Sequence, residues 1–349
     1  MSRILALDLG KFKTVACVFT PADGSSRFIT VETTVDHLTG LITREAPTLV
    51  VFETCTIAGW VHDLCLKLGT VCQVANPNGE AWRWRNVKRK TDRDDAVKLA
   101  RLAAAGELPT VAMPSPAERQ KRSLLHHRQG IVRQRVGTQN ALRALVEAQG
   151  LRLASGHRAW TAVGLTLLRS WAKPLAECGP DELWRGQADL LISELAQSRE
   201  REAEVDAALE RMAVADERVR RVRTVPGIGR VTAEAIVNYL GDGRRFRTAG
   251  QVGSYAGLVP TQYQSGQSDR RGRVSKRGPG LLRKLLVEAS WVMLRYNEWA
   301  AAFVKRVSRG QKTRRKQAVV ALARKVLIRC WAMLRDGTDW QTPTPSMAA

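Results

Sequence analysis

The fold prediction starts from residues 4–10, ILALDLG. The run is apolar apart from Asp8 and ends at a glycine, which predicts a short buried β-strand. A carboxylate inside such a strand costs free energy unless it has a partner. Asp8 is therefore the first candidate functional residue.

Alternating strand and helix patterns follow this run over the first hundred residues. Residues 14–20, 27–33, 48–53 and 70–76 are apolar or β-branched runs, and residues 34–45 and 58–69 have helical spacing. A further helix is predicted from Thr91, because TDRD resembles a capping box. Three consecutive strands can form a meander, and the later ones must join by parallel crossovers. The predicted fold is an α/β layer with a mixed sheet.

The remainder of the chain is predicted to be mainly helical, which gives boundaries at 1–110, 111–222 and 223–349. In the last region, a loop rich in Gly, Ser and Arg is expected before basic helices near 279–296 and 313–335. In the middle region, two seams of heptad spacing predict coiled-coil helices that pair with each other or with another subunit. An ordinary amphipathic helix explains such short seams equally well. The first seam is Leu124, Ile131, Thr138 and Leu145, and the second, over 186–222, is Leu191, Leu195, Val205, Leu209, Met212 and Val219, with Ser198, Glu202 and Asp216 at its polar positions.

The charge balance indicates a polyanionic partner. The 349 residues include 56 Lys and Arg against 33 Asp and Glu, a formal charge of +23. Nucleic acid is the usual counterpart of such an excess. No apolar run reaches the roughly 20 residues that span a membrane, and no membrane partner is expected. The N-terminus lacks a signal-peptide pattern and the six cysteines form no C-x-x-C pair, which indicates a reduced, cytoplasmic protein.

Four acidic residues form a candidate metal site. Glu53 ends a strand, and Asp92 and Asp95 share one face of the helix that starts at Thr91. If the first and fourth strands are neighbours, Asp8 and Glu53 meet at one sheet end, which the helix approaches. Oxygen ligands of this kind favour Mg²⁺ or Mn²⁺, and two such ions can act on a phosphodiester. Alternatively, Asp92, Asp94 and Asp95 simply complement the helix dipole.

The same segments resemble a known family. LALDLGKFKT (5–14), VVFETC (50–55) and KTDRDDAVKLA (90–100) look like the Asp–Glu–Asp–Asp signature of a RuvC-like, RNase H-type domain. KTDRDDA further resembles the DEDD transposases of bacterial insertion sequences, which act as bridge-RNA-guided serine recombinases. This resemblance implies a catalytic role for Asp8, Glu53, Asp92 and Asp95.

Two motifs of the C-terminal region point to phosphate chemistry. VPGIGRVTAEAI (225–236) has the form of a helix-hairpin-helix, in which Gly227 and Gly229 allow a tight turn that can bind a backbone phosphate, although a plain helical turn is the alternative. In YQSG (263–266), the family resemblance implies that Ser265 is the nucleophile. From the residues alone, Ser254, Ser268 and Ser275 are equal candidates.

Basic residues near these motifs are candidates for nucleic-acid contacts. Trp82 and Trp84 alternate with cations, which suits base stacking beside phosphate contacts, although core tryptophans would look the same. The complete candidate set is Trp82, Arg83, Trp84, Arg85, Lys88, Arg89, Lys90, Lys121, Arg122, Arg128, Arg133, Arg135, Gly227, Gly229, Arg270, Arg271, Arg273, Lys276 and Arg277.

The resemblance and the residues together predict an insertion-sequence transposase that cuts and rejoins DNA through a serine–DNA ester with metal assistance. The implied partners are donor and target DNA, a bridge RNA, and further copies of the chain in a dimer or tetramer with a composite active site. The expected location is the bacterial cytoplasm, on the nucleoid when DNA is bound. The alternatives are a RuvC-like metal nuclease that uses water, an actin-like ATPase suggested by DLGKFKT, and a pure binding protein.

Overall fold

The computed structural model describes residues 2–77, 79, 91–265 and 268–342 and divides into two compact units, Met1–Gln120 and Lys121–Ala349. Part of the nucleic-acid prediction lies outside the described residues: Trp82, Arg83, Trp84, Arg85, Lys88, Arg89 and Lys90. The three-part division at 110 and 222 stays a prediction.

A six-stranded mixed sheet forms the centre of the first unit. Its strands are β1 (Ile4–Leu9), β2 (Lys13–Thr20), β3 (Ser25–Glu32), β4 (Leu49–Glu53), β5 (Cys72–Ala75) and β6 (Thr110–Val111), in the order β3-β2-β1-β4-β5-β6. The β1–β4 and β4–β5 pairs are parallel and the other pairs are antiparallel. The predicted mixed sheet is confirmed, including the neighbouring first and fourth strands.

Helices cover both faces of this sheet. On one side, α1 (Val35–Glu45) and α2 (Ala58–Lys67) share a buried core with Leu5 and Leu7 of β1. On the other side, α3 (Asp92–Ala104) packs against Ile4 and Ala6. The alternation along β1 explains the division, because successive strand side chains point to opposite faces.

The second unit is mainly helical. Its helices are α5 (Ala162–Trp171), α6 (Leu183–Val214), α7 (Glu217–Arg223), α8 (Arg230–Leu240), α9 (Ala249–Tyr255), α10 (Gly280–Met293), α11 (Glu298–Ser308) and α12 (Arg315–Asp336), and α4 (Pro116–Glu147) contains the boundary between the units. Their main core is an apolar cluster drawn chiefly from α8, α10 and α12, and a second, smaller cluster joins α4, α5 and α6. None of the described helices is both long and apolar enough to cross a bilayer.

Helices α4 and α6 pair with each other inside the chain. Arg128 Nε lies 2.7 Å from Asp206 Oδ1, and Arg135 Nε lies 2.7 Å from Glu202 Oε2. Further along the pair, Leu142 and Leu195 share an apolar cluster. The two helices thus contact each other within the chain, and pairing with another subunit stays a prediction.

One predicted seam does not form a single helix. The pattern over 186–222 crosses the end of α6 at Val214. Asp216, which occupies a polar seam position, instead caps α7 by accepting a hydrogen bond from the Arg218 backbone N–H. Val219 therefore belongs to a different helix from Leu209. A capping side chain that competes for backbone groups ends a helix that heptad spacing alone would continue.

The C-terminal region is also less uniformly helical than predicted. The Gly-, Ser- and Arg-rich stretch expected to be a loop forms a hairpin of β7 (Pro260–Ser265) and β8 (Ser268–Val274). Its strands are polar, and they lack the apolar alternation by which strands are usually recognised.

Candidate functional site

Asp8 and Glu53 lie side by side at the carboxyl end of the sheet. Leu7 pairs with Phe52 in the parallel β1–β4 register, and Asp8 and Glu53 are the next residues of the two strands. Both are partly buried. Asp8 follows Ile4 and Ala6 in the alternation, and Glu53 follows Val51, so both are on the face that α3 covers. The sequence prediction that these two acids meet at one sheet end is confirmed.

The first turn of α3 brings two more carboxylates to this face. Ala96 and Leu99 of α3 are buried against the sheet. Asp92 and Asp95 precede them by one helical turn, on the same stripe. Asp92 is exposed and Asp95 is partly buried. The four acids therefore share one face of the first unit.

Asp94 has a different, structural role. Its carboxylate accepts hydrogen bonds from the Thr91 backbone N–H at 3.0 Å and from Thr91 Oγ1 at 2.7 Å. Thr91 Oγ1 in turn accepts from the Asp94 backbone N–H, which completes a capping box. The predicted helix start at Thr91 is confirmed.

The acids match a hard divalent cation in their chemistry, since carboxylate oxygens are its preferred ligands. Their positions match less completely. The described residues contain no group of three or more His, Cys, Asp or Glu side chains close enough together to hold a metal ion. The structure thus gives the acids a shared face and gives Asp8 and Glu53 adjacent positions, while joint coordination of one ion by all four remains a prediction.

A groove of about 970 Å³ is lined by residues of α3 and β3. Its charged side chains are the cations Arg93, Lys98 and Arg101 and the acids Asp94 and Glu107, and Phe28 of β3 supplies an aromatic ring. The Arg93 guanidinium carbon lies 5.4 Å from the centroid of the Phe28 ring. Exposed cations beside an acidic site can neutralise the phosphates of a bound strand.

Ser265 lies at the end of β7. Its backbone pairs with Ser268 of β8, and only Gly266 and Gln267 separate the two strands in the sequence. The neighbouring candidates Arg270 and Arg273 lie exposed on β8, and Lys276 and Arg277 lie exposed just after it, while the Arg271 side chain lies outside the described part. The carboxylates belong to the first unit and Ser265 to the second.

Arg283 of α10 fixes the base of this hairpin. Its Nη1 donates to the carbonyl oxygens of Ala256, Arg277 and Gly278, each at 3.0 Å. Burial lowers the pKa of its guanidinium. A β-carbon on Gly257, at φ +65°, would lie 2.0 Å from the Arg277 carbonyl oxygen, so the two segments pack backbone to backbone. The base of the hairpin whose first strand ends at Ser265 is therefore held in place by Arg283 and by this backbone packing.

The PGIG turn connects α7 to α8, and its two glycines differ. Gly227 has φ +84°, and a β-carbon there would lie 2.8 Å from the Met293 backbone nitrogen. Gly229 is exposed at the N-cap of α8 with φ −80°, and no atom would lie within 4 Å of its β-carbon. Gly227 thus has a packing role, and Gly229 is the glycine of the turn that is open to a ligand.

Most of the predicted cations on α4 bind other side chains. Arg122 donates to the side-chain and backbone oxygens of Asn238, both at 2.9 Å. Arg128 and Arg135 form the ion pairs with α6, and the hydrogen bond to Asp206 raises the pKa of Arg128. Lys121 is partly buried and Arg133 is exposed. Nucleic-acid binding by these five residues stays a prediction.

Sequence reasoning missed a buried acid among these ion pairs. Glu234 of α8 is 8% exposed, and neither of its carboxylate oxygens has a hydrogen-bond partner among the described residues. Burial raises its pKa to about 7, opposed by the charges of Arg230 and Lys121. An acid inside the apolar run VTAEAIV was the signal that could have identified it.

Comparisons with known proteins match two separate stretches of the chain. A family model described as DEDD_Tnp_IS110, a transposase, matches residues 5–149, and a model described as the transposase IS116/IS110/IS902 family matches residues 219–305. The first match contains all four carboxylates, and the second contains Ser265.

Relatives from several bacteria match over most of their length. A probable family 20 transposase of Pseudomonas aeruginosa is 31% identical over 84% of this chain and 86% of its own. The transposase for insertion sequence element IS1111A of Coxiella burnetii is 28% identical over 82% of this chain and 77% of its own. A pilin gene-inverting protein of Moraxella lacunata is 28% identical over 72% of this chain and 67% of its own.

The two family matches account for both the acidic sheet end and the serine hairpin, and the Pseudomonas relative extends the similarity across the region between them. A transposase is an enzyme that cuts and transfers DNA strands. The chain belongs to the IS116/IS110/IS902 family of insertion-sequence transposases.

Proposed function

We propose that this transposase cuts and rejoins DNA through a covalent bond between Ser265 and a DNA phosphate. The supporting observation is that Asp8 and Glu53 occupy adjacent positions at one sheet end, on the face to which α3 brings Asp92 and Asp95. The relative named as a gene-inverting protein supports rejoining, since inversion of a DNA segment requires that cut ends be joined again.

The chain's own residues have separate roles in this proposal. The Ser265 hydroxyl oxygen forms a bond to phosphorus as the bond to one sugar oxygen breaks, and the serine proton ends on the released sugar hydroxyl. Attack by a sugar hydroxyl on the phosphoserine reverses these changes and joins the new strand. The exposed cations Arg270, Arg273, Lys276 and Arg277 stabilise the charge that develops on the phosphate oxygens.

The acids hold the metal in this proposal. DEDD transposases typically use divalent metal ions, and Asp8, Glu53, Asp92 and Asp95 would hold Mg²⁺ or Mn²⁺ here. When bound, such an ion supplies Lewis-acid stabilisation of negative charge on a phosphodiester. The carboxylates would position the ion. In an oligomer, the acids of one subunit would complete the serine site of another.

A guide RNA completes the proposal. The large positive charge and the family resemblance support a bridge RNA that pairs with donor and target DNA. The test is to purify the expressed chain, sequence the RNA that remains bound, and supply that RNA with donor DNA, target DNA and Mg²⁺. Recombined product that requires both the RNA and the metal supports the proposal. Equal recombination without RNA would contradict guidance.

A metal nuclease that uses water is the second candidate. It is favoured by one observation, that the carboxylates and Ser265 belong to different compact units, so that the acidic unit could act alone. The same assay separates the two candidates, because a nuclease leaves cut ends that are not joined.

A further inference from the structure

The sequence between Trp299 and Arg335 contains no Asp or Glu. Over this stretch the chain folds as α11, a short turn and α12. Its cations are Lys305, Arg306, Arg309, Lys312, Arg314, Arg315, Lys316, Arg324, Lys325, Arg329 and Arg335. Seven of them, from Lys305 to Lys316, are exposed around the turn between the two helices. This turn is therefore a concentrated site of positive charge.

Three cations of the turn form no ion pair with any described residue. Within the described part of the chain no carboxylate pairs with Lys305, Lys312 or Arg315, and the neighbouring ion pairs along the sequence are Lys284–Glu288 and Arg335–Asp336. The first turn of α12 also carries no acidic residue. Cations gathered there repel one another and the positive end of the helix dipole, which costs folding free energy. Such a cost is typical of a binding surface rather than of a structural one.

Two exposed aromatic rings belong to the same part of the chain, and one of them contacts a cation of the turn. The Trp291 ring of α10 is 37% exposed, and the Arg315 guanidinium carbon lies 5.5 Å from its centroid. Tyr296, in the turn between α10 and α11, is 74% exposed. A tyrosine ring this exposed contributes little to the core, and its face is available to stack on another planar group.

An open cavity of about 280 Å³ connects the cations. It is lined by Leu294, which lies between Trp291 and Tyr296 in the sequence, by Lys305 of α11 and by Lys312 and Arg315 at the start of α12. The cavity thus joins Leu294, which follows α10 directly, to three of the exposed cations. We call the surface formed by Trp291, Tyr296, Lys305, Lys312 and Arg315 the α10–α12 platform.

We propose that the α10–α12 platform binds single-stranded nucleic acid, with bases stacked on Tyr296 and Trp291 and phosphates held by Lys305, Lys312 and Arg315. Aromatic faces beside an unneutralised cationic track are the combination that single strands require, because their bases are unstacked and available. A duplex offers only its backbone to such a surface. The platform contains none of the residues assigned to strand cutting. The test of this proposal therefore measures only the affinity for nucleic acid.

The test uses the full-length chain with Ser265→Ala, so that strand cutting does not affect the measurement. A short labelled oligonucleotide of mixed sequence is titrated as single-stranded RNA, as single-stranded DNA and as a DNA duplex. Tyr296→Ala should weaken single-strand binding about tenfold, while Tyr296→Phe keeps the ring and should keep the affinity. Tighter binding of the RNA would identify a guide RNA as the source of the strand, and tighter binding of the DNA would identify a strand exposed during exchange.

The charge is tested by Lys312→Gln combined with Arg315→Gln. Each lost phosphate contact on a single strand should lower the slope of log affinity against log salt by about 0.7. The melting temperature should stay equal or rise, since the change relieves repulsion at the start of α12, and unfolding would then not explain weaker binding. The matched control is Arg158→Gln combined with Arg169→Gln, which removes the same charge from exposed positions elsewhere in the second unit.

Two results would overturn the proposal. One is an equal loss of affinity in the control pair, which would make net charge rather than this surface responsible. The other is a combination of two observations. Tyr296→Ala would leave the affinity for single-stranded RNA and DNA unchanged, and the double variant Lys312→Gln with Arg315→Gln would weaken single-strand and duplex binding equally. That pattern would describe a surface that binds only backbone.

Discussion

Asp8 and Glu53 lie directly after the paired residues Leu7 and Phe52 on neighbouring parallel strands, and both are on the sheet face that α3 covers. Two carboxylates in adjacent positions repel each other, and the strands that carry them are among the most buried of the first unit. In the proposed function, a divalent cation held by these acids would offset their mutual repulsion. The proposed chemistry depends on this arrangement.

Loss of any one of these acids should abolish recombination. Asp8→Asn, Glu53→Gln, Asp92→Asn and Asp95→Asn keep the size of each side chain but remove the charge that binds a metal. We expect strand exchange to fall at least about a hundredfold in each variant, since metal stabilisation of a phosphodiester amounts to several kcal/mol. Nucleic-acid affinity should change little. Exchange at the normal rate in Asp92→Asn and Asp95→Asn would remove α3 from the site.

Asp94 is the matched control for this series, and its substitution should affect stability instead of chemistry. Asp94→Ala removes the carboxylate that accepts both Thr91 hydrogen bonds, which is one half of the capping box, and keeps the hydrogen bond from the backbone N–H of residue 94 to Thr91 Oγ1. We expect a loss of about 1 kcal/mol in the free energy of unfolding, measured by denaturant titration. Strand exchange well below the melting temperature should persist. If Asp94→Ala were as inactive as Asp95→Asn, charge near α3 rather than metal ligation would explain both.

Glu234 should make folding stability depend on pH near neutrality. Its pKa rises to about 7 through burial, above its ordinary value of 4.5. A raised acid pKa means that the folded chain binds more protons than the unfolded chain between these values, so this contribution to stability is lost as pH rises from about 4.5 to about 7. Above pH 7, burial of the ionised carboxylate lowers the free energy of unfolding by at most about 3 kcal/mol.

Glu234→Gln measures this cost directly. The variant cannot ionise, so it should be more stable than the unchanged chain at pH 8, and the difference should shrink towards zero below pH 5. The comparison is made by denaturant titration across that range. A difference that is the same at pH 5 and pH 8 would show that the buried carboxyl does not titrate there.

The two glycines of the PGIG turn should respond differently to alanine. Gly227→Ala places a β-carbon against α10 at a positive φ angle, which should cost about 1–3 kcal/mol of stability. Gly229→Ala meets no neighbouring atom and should leave stability nearly unchanged. If the turn binds a backbone phosphate, Gly229→Ala should weaken duplex binding at unchanged melting temperature. Equal destabilisation by both changes would contradict the packing described for Gly227.

The first unit was predictable because its buried strands are apolar runs and its helix starts carry local signals. Thr91 and Asp94 are three residues apart, and their capping box is visible in the sequence itself. The adjacency of Asp8 and Glu53 followed from strand order. Their shared orientation towards α3 required the register, which depends on pairing between distant strands.

The second unit was harder to predict because long-range contacts determine it. The β7–β8 hairpin has polar strands, and its base is held by Arg283, which lies beyond both strands in the sequence. A two-residue Gly-containing connection between Ser265 and Ser268 was the local signal for a hairpin. The partners of Arg128 and Arg135 lie more than sixty residues away on α6, and no local pattern identifies them.

The most direct test of the account is whether Ser265 becomes covalently attached to DNA. The chain is incubated with labelled donor and target DNA, bound RNA and Mg²⁺, then denatured and separated on a gel, with Ser254→Ala, Ser268→Ala and Ser275→Ala as controls. The account predicts a labelled protein–DNA adduct that persists in the three controls and disappears in Ser265→Ala and on metal removal. An adduct that survives Ser265→Ala, or strand cutting that never produces an adduct, would contradict it.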